Sequence, residues 1–350
     1  MRIFHCDRCE QLVFFENVRC VACGHALAYL PDVGDMGTLE PAGGDRWRRT
    51  RAPEARTYRL CTNYDRENVC NWAVPADDAQ ALCQSCRLTR VIPDLGRHRE
   101  AWYRLEVAKR RLVYGLMRLG LPIASKQDDP GRGLTFEFLA DPDEPDAPPV
   151  MTGHADGVIT ISVAEADNAQ RERRRLQLHE PYRTLLGHFR HESGHYYWAR
   201  LVEDSARLAR FREVFGDERE RYQDALARHY QFGAPPDWQQ RFVSTYASVH
   251  PWEDWAETWA HFLHMSDSLE TAAACGLMLR PRHPDEPALV TPPDARPVGP
   301  FDLMIRDWFP LTYVLNNLNR GLGLPDGYPF VLSTPVIEKL RFVHETIEAG

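Results

Sequence analysis

Eight of the nine cysteines in this chain of 350 residues fall before residue 90, and no other feature restricts so severely how that stretch can fold. Cys6-x2-Cys9 and Cys20-x2-Cys23 make two knuckles within the first 30 residues. So short a unit cannot bury a core of its own and needs a metal to hold it together. Zn2+ asks for four soft donors at the corners of a tetrahedron, which two CxxC pairs supply with little strain. A zinc ribbon is therefore expected over residues 1–30. Cys61, Cys70, Cys83 and Cys86 contain only one CxxC. They predict a second four-cysteine zinc module over residues 57–90, the alternative being one CxxC beside two core thiols. Residues 31–56, with repeated Gly, Pro and Arg and no steady period, read as a linker or surface loop. Cys275, in TAAACGLML, reads as an ordinary buried thiol.

Disulfides would use the same cysteines only in an oxidising compartment. The opening MRIFHCDRCE carries charges where a secretory signal needs an apolar run, and no later stretch approaches the ~18 apolar residues of a membrane span. A soluble, cytoplasmic protein without a membrane partner is expected. Forty-two Lys and Arg against fifty Asp and Glu give a net charge of −8. That balance does not favour a nucleic-acid backbone as the main partner. RWRRTR at 46–51 leaves a local basic contact open, although a solvated loop is the better reading.

Beyond the cysteines the patterning is mostly helical. EAWYRLEVAKRRLVYGLMRL at 100–119 has apolar residues at helical spacing, GLTFEFLA and VITISV read as strands, and a long helix is expected over about 168–200. A further helical region runs to 230 and breaks at GAPPD, where Asp237 with Gln240 resembles a capping pair. Pro251 suits the first turn of a helix through WEDWAETWAHFLHM. The proline-laden 281–298 reads as loop, and two last helical patterns cover 301–320 and 335–347. The expected class is α+β, with zinc modules ahead of a mostly helical domain over 99–350 that contains a small sheet.

His191-Glu192-Ser193-Gly194-His195 is the most specific signal. Residues four apart on a helix lie one above the other, so both imidazoles can meet one Zn2+ while Glu192 is displaced toward a metal-bound water. Two histidines leave the ion short of a protein ligand, and a second helix bearing a carboxylate is the usual remedy. Glu253 and Glu257 share one face of YASVHPWEDWAETW, whose Trp252, Trp255 and Trp259 mark a buried helix rather than a solvated one. The pair permits a division of labour in which Glu253 binds zinc and Glu257 accepts a hydrogen bond from the distal nitrogen of a ligating histidine. His188 makes a trio with His191 and His195 conceivable, but a supporting or substrate-facing place suits it better. His250 and His261 read as polar packing residues.

These motifs carry a resemblance. HExxH followed by Tyr246-x6-Glu253-x3-Glu257 is similar to the gluzincin-like zinc peptidases, whose third ligand is a glutamate. Over nearly its whole length the chain resembles a bacterial family of zinc-binding metallopeptidases with N-terminal zinc ribbons. The match lies in the CxxC pairs, LLGHFRHESGHYYW, YASVHPWEDWAETWAHFLH and LNNLNRGLGLPDGYPF. The resemblance implies a zincin-like domain with His191, His195 and Glu253 as ligands, Glu192 as general base, Glu257 behind a ligand and Tyr246 stabilising an oxyanion. It also implies zinc-dependent hydrolysis of peptide bonds in a protein or peptide substrate, with Glu192 activating a zinc-bound water.

Three zinc ions are then expected, one catalytic and two structural, with the ribbons free to meet a protein partner. The alternative is a non-catalytic, zinc-stabilised adaptor that binds protein or nucleic acid. HADGVITISV at 154–163 reads equally as an internal strand or as a sheet edge that takes up an extended substrate. The 57 residues between His195 and Glu253 are expected to shape the cleft.

Overall fold

Each cysteine knuckle of the first ribbon closes on a residue in the left-handed conformation: Glu10 (φ 59°) follows Cys9 and Gly24 (φ 73°) follows Cys23. Their N–H groups return to the carbonyls of Cys6 and Cys20 at 2.9 Å. The computed structural model describes residues 2–52, 56–144, 146–177, 183–283, 285–290 and 299–349. Strands β1 (Phe4–His5) and β2 (Leu12–Val13) pair antiparallel beside the first knuckle. β2 ends at Val13, where the Asn17 side chain accepts from the Phe14 N–H at 2.7 Å and turns the chain.

Residues 31–56 are not a linker. β3 (Ala26–Leu30), β4 (Asp35–Pro41), β5 (Trp47–Arg49), β6 (Thr57–Leu60) and β7 (Ala73–Pro75) form one antiparallel sheet in chain order. Residues 53–55 of the expected linker lie outside the described residues. Arg48 and Arg49, two of the arginines that made this stretch look like solvated loop, are ion-paired. Arg49 makes a two-pronged bond to Asp7 at 2.6 and 2.9 Å and reaches Asp35 at 3.0 Å, and Arg48 meets Glu40 at 2.8 Å. A short helix α1 (Thr62–Asp65) follows β6.

The sheet and both cysteine groups share one core. Tyr29 packs on Trp72 at 4.7 Å, and the Tyr64 hydroxyl donates to the carbonyl of Leu27 at 2.9 Å. Helix α2 (Leu95–Arg118) opens with a turn capped by Asp94, which accepts from the Gly96 N–H at 3.0 Å, and kinks at His98 (φ −128°), so its regular run begins close to where the apolar period starts. Its Tyr114 inserts against Phe15 and Tyr29 at 5.2 and 5.7 Å. The ribbons are thereby welded to the rest of the chain.

A second, mixed sheet has β8 (Thr89–Val91), β9 (Thr135–Leu139), β10 (Gly153–Ala155) and β11 (Val158–Ser162) in the order β10-β11-β9-β8. β9 runs parallel to both neighbours, while β10 is an antiparallel edge strand joined to β11 by Asp156 and Gly157 in left-handed conformations. HADGVITISV thus supplies both an edge and an interior strand. The α+β class expected from the sequence is what the chain adopts.

The helix expected over 168–200 is two, α3 (Asn168–Gln177) and α4 (Leu185–Leu201). Residues 178–182 lie outside the described residues, and α4 begins afresh where Thr184 caps it by accepting from the Gly187 N–H at 3.0 Å. Then come α5 (Leu208–Phe215), α6 (Tyr222–Phe232) and the single turn α7 (Trp238–Arg241). Asp237 precedes α7 without a side-chain cap bond, its carboxylate lying 3.9 Å from Arg241 instead. α8 (Pro251–Ala274) has Pro251 first, as expected, and is capped by His250, whose Nδ1 accepts from the Trp252 N–H at 3.1 Å. Cys275, just past its end, is exposed rather than buried, because α8's core-facing stripe has already ended.

α9 (Phe301–Gly321) and α10 (Thr334–Glu348) complete the fold, and residues 291–298 of the expected loop lie outside the described residues. Asn316 exchanges two 2.9 Å bonds with the backbone of Tyr328, and Asn319 donates to the Pro325 carbonyl at 3.0 Å. The LNNLNRG segment is therefore a clasp on the loop that follows.

That loop presses Tyr328 onto α8, where its hydroxyl lies 2.8 Å from Nδ1 of His261. Burial pulls His261 down to about 4 and His264 to about 3, so both stay neutral in the folded chain. The unfolded chain protonates them near pH 6.5. Their contribution is therefore intact above that pH and lost as pH falls toward 4, by up to about 1.4 kcal/mol per pH unit for each. Urea unfolding of wild type and His264→Gln at pH 7 and pH 5 should show a shallower loss of stability in the variant; parallel losses would refute the assignment.

Candidate metal centre

Helix α4 carries the HESGH stripe, and α8 crosses it at Gly194. A Cβ at that position would stand 2.9 Å from Cα of Ala256, so only glycine permits the approach. Trp255 Nε1 donates to the Gly194 carbonyl at 2.8 Å and Trp259 Nε1 to Ser193 Oγ at 3.1 Å, fixing the crossing. The tryptophans that marked a buried helix are what dock it. This crossing sets Glu253, in the first turn of α8, opposite both histidines.

Oε2 of Glu253 lies 3.0 Å from His191 Nε2 and 3.5 Å from His195 Nε2. A tetrahedral ion with bonds of about 2.0–2.1 Å would hold its donors about 3.3 Å apart, so the three atoms have the spacing of a zinc ligand set. Electrostatics ask for a cation as well. Burial opposes charge on His191, yet Glu253 and Glu257 outweigh it and push the imidazole well above its ordinary value. Likewise burial would raise Glu253, but His195 and His191 hold it well below the usual carboxylate range.

The supporting bonds fall where the sequence placed one of them and not the others. His191 Nδ1 donates to Glu257 Oε1 at 2.7 Å, which leaves Nε2 as the lone-pair nitrogen, and Ser244 Oγ donates to Oε2 of the same carboxylate at 2.6 Å. Despite its burial, Glu257 is held at about 2, chiefly by His191. Trp252 packs on the His195 ring at 4.1 Å. Glu192 is buried at 6% exposure, and its charge helps raise the Tyr246 and Tyr222 phenols. The Tyr246 ring lies 5.9 Å from that of His191, and its phenol is pushed far up by burial and by Glu253. His188 takes no place in the group, since its Nε2 meets the buried Glu165 at 3.2 Å.

Tyr222 is the residue that sequence reasoning missed. Its hydroxyl donates to Glu253 Oε1 at 2.8 Å and lies 3.4 Å from that of Tyr246. Nothing in RYQDALARHYQF marks it, because its partner is 31 residues away on another helix.

The eight cysteines gather as the spacing predicts: Cys6, Cys9, Cys20 and Cys23 in one group, Cys61, Cys70, Cys83 and Cys86 in the other, with ligand atoms within 4.8 Å of one another. Sγ separations of 3.6 Å for Cys6 with Cys23 and Cys9 with Cys20, and 3.8 Å for Cys70 with Cys83, compare with about 3.8 Å for a tetrahedral ion with bonds of about 2.3 Å. All four cysteines of the second group are buried.

Comparison with known proteins adds two matches. A family described as "Putative zinc-binding metallo-peptidase" matches residues 98–346 and a "zinc-ribbon domain" family residues 3–97. The chain belongs to this zinc-binding metallopeptidase family. Uncharacterized proteins of Mycobacterium bovis and Mycobacterium tuberculosis are 45% identical to it over 353 aligned residues, spanning 99% of this chain and 96% of theirs. No solved structure matches it at a significant level. Family membership and donor chemistry agree on zinc for the two cysteine groups and the His-His-Glu group. Among the described residues, no helix is long and apolar enough to cross a membrane.

Proposed function

We propose that the chain hydrolyses peptide bonds in a protein or peptide substrate, with zinc held by His191, His195 and Glu253. One observation carries the reading. Among the described residues this group offers three donors, against four in each cysteine cluster, and the HExxH carboxylate Glu192, one residue from His191, is buried close enough to raise the Tyr246 and Tyr222 phenols by its charge. Three protein ligands leave a corner open for water or substrate, and a purely structural site would have no use for Glu192.

Bound there, zinc would acidify a water and polarise the scissile carbonyl. The protein's own groups do the rest. Glu192 accepts the proton of the attacking water and passes it to the leaving nitrogen. Glu257 and Ser244 keep the His191 tautomer that presents Nε2. Tyr246, protonated at any working pH, offers its hydroxyl to the oxygen that gains negative charge. The edge strand β10 supports an extended substrate, because its His154 ring stands 6.3 Å from the His195 ring and its outer side has no strand partner among the described residues.

Tyr246→Phe should lower kcat by roughly 10²–10³-fold, the usual size of a lost oxyanion donor, with little change in KM. A rise in KM alone would remove Tyr246 from that role. The direct test is a search for new protein termini after adding zinc-loaded wild type to cell extract, with Glu192→Gln as the matched control. Termini that depend on Glu192 are expected; identical sets would overturn the proposal and favour a binding protein.

A further inference from the structure

We infer that Tyr222 is a positioning residue for the metal centre, delivered by a segment that can leave it. This rests on the metal-binding half of the reading above and not on peptide hydrolysis. The Tyr222 hydroxyl donates to Oε1 of Glu253 at 2.8 Å, while Oε2 faces the two histidines. A carboxylate with one oxygen engaged by a phenol presents the other to an ion, and its orientation no longer has to be fixed when the ion arrives. Because the single proton of Tyr222 goes to Glu253, Tyr246 is the donor across the 3.4 Å gap between the two hydroxyls while no substrate is bound, and rotation of that O–H frees it for a substrate oxygen. Hydrogen bonds therefore run from Tyr246 to Tyr222 to Glu253.

The segment that brings Tyr222 is thinly held. Ala225 is the one buried residue of α6, and Tyr230 and Phe232 on the same helix are 69% and 73% exposed. Gly216 and Gly233 bound the segment with φ of 106° and 76°, values that glycine adopts without strain. Its anchors lie at one end. Tyr222 packs edge-on to His250 at 5.6 Å, and the Glu220 carbonyl accepts from His250 Nε2 at 3.0 Å. The Tyr222 bond thus joins the closing of residues 217–232 to the completion of the ligand set. Linkage makes this mutual: the factor by which the contact strengthens ion binding is the factor by which the ion strengthens the contact.

Tyr222→Phe removes the hydroxyl and keeps the ring. Chelator competition on the full, zinc-loaded chain should show one of three ions held roughly 10–100-fold less tightly, the usual effect of losing a ligand's hydrogen-bond partner. The two cysteine-bound ions should be unaffected, which also reports an intact fold. Zinc should slow amide hydrogen exchange over residues 222–232 in wild type and not in the variant. Equal affinity in the variant overturns the inference. If the variant loses the cysteine-bound ions too, wild type alone decides, and zinc-independent exchange over 222–232 overturns it. A wild-type chain that binds only two ions overturns it together with the metal reading. Weakened binding in a chain that cleaves nothing supports Tyr222 and sinks the peptidase reading alone.

Discussion

Glu192→Gln is expected to retain all three zinc ions and to lose peptide hydrolysis by roughly 10²–10⁴-fold, the range for removal of a positioned acid–base group. The two properties separate because Glu192 lies one residue from His191 on α4 without belonging to the donor group, whose atoms are two imidazole nitrogens and a Glu253 oxygen. An amide of the same shape preserves packing at this buried position but cannot take a proton from water or return it to a leaving amine. Metal content measured beside turnover on a substrate identified from its new termini checks both halves. Unchanged turnover would remove Glu192 as the base. Loss of one ion would mean that Glu192 holds the metal itself.

Cys83→Ser is expected to unfold the N-terminal sheet rather than to trim its stability. Cys83 is 1% exposed, its Sγ lies 3.8 Å from that of Cys70, and its N–H donates to Cys61 Sγ at 3.3 Å. Arg110 of α2, 2% exposed, donates to the Val69 carbonyl and sits in the field of Cys70, Cys86 and Cys83. Without the ion and its thiolates, that guanidinium is left buried with less negative charge to face. A structural zinc contributes an apparent ~10–16 kcal/mol, comparable with the whole ~5–15 kcal/mol stability of a domain. The variant should hold fewer than three ions and lose near-ultraviolet circular dichroism, whereas Cys275→Ser, at an exposed position, should melt like wild type. Normal melting of Cys83→Ser with three ions bound would show that the second cluster is not structural.

How much of this was legible beforehand follows from how far apart the partners are along the chain. The two CxxC knuckles of the first cluster and the HESGH stripe are local, so their spacing already contains their geometry. The second cluster needed only that four thiols in a short stretch meet. Residues 31–56 misled because Gly, Pro and Arg are scored by their neighbours, while β4 and β5 are held by Asp7, far enough away to be invisible to any local pattern. The single helix expected over 168–200 failed for the opposite reason: apolar spacing continued while a local cap at Thr184 started a new helix.

Sequence alone determined the donor types, their grouping in local turns, and the pairing of Glu253 with Glu257 on one helical face, because residue spacing along a turn or helix is set by backbone geometry. Tertiary structure alone decided the rest. It brought α8 across α4 at Gly194 to the distance a shared ion requires, turned His188 away to Glu165, and set the Tyr222 hydroxyl on Glu253. Those outcomes depend on packing between helices separated by long intervening chain, where no periodicity records which side chains will meet.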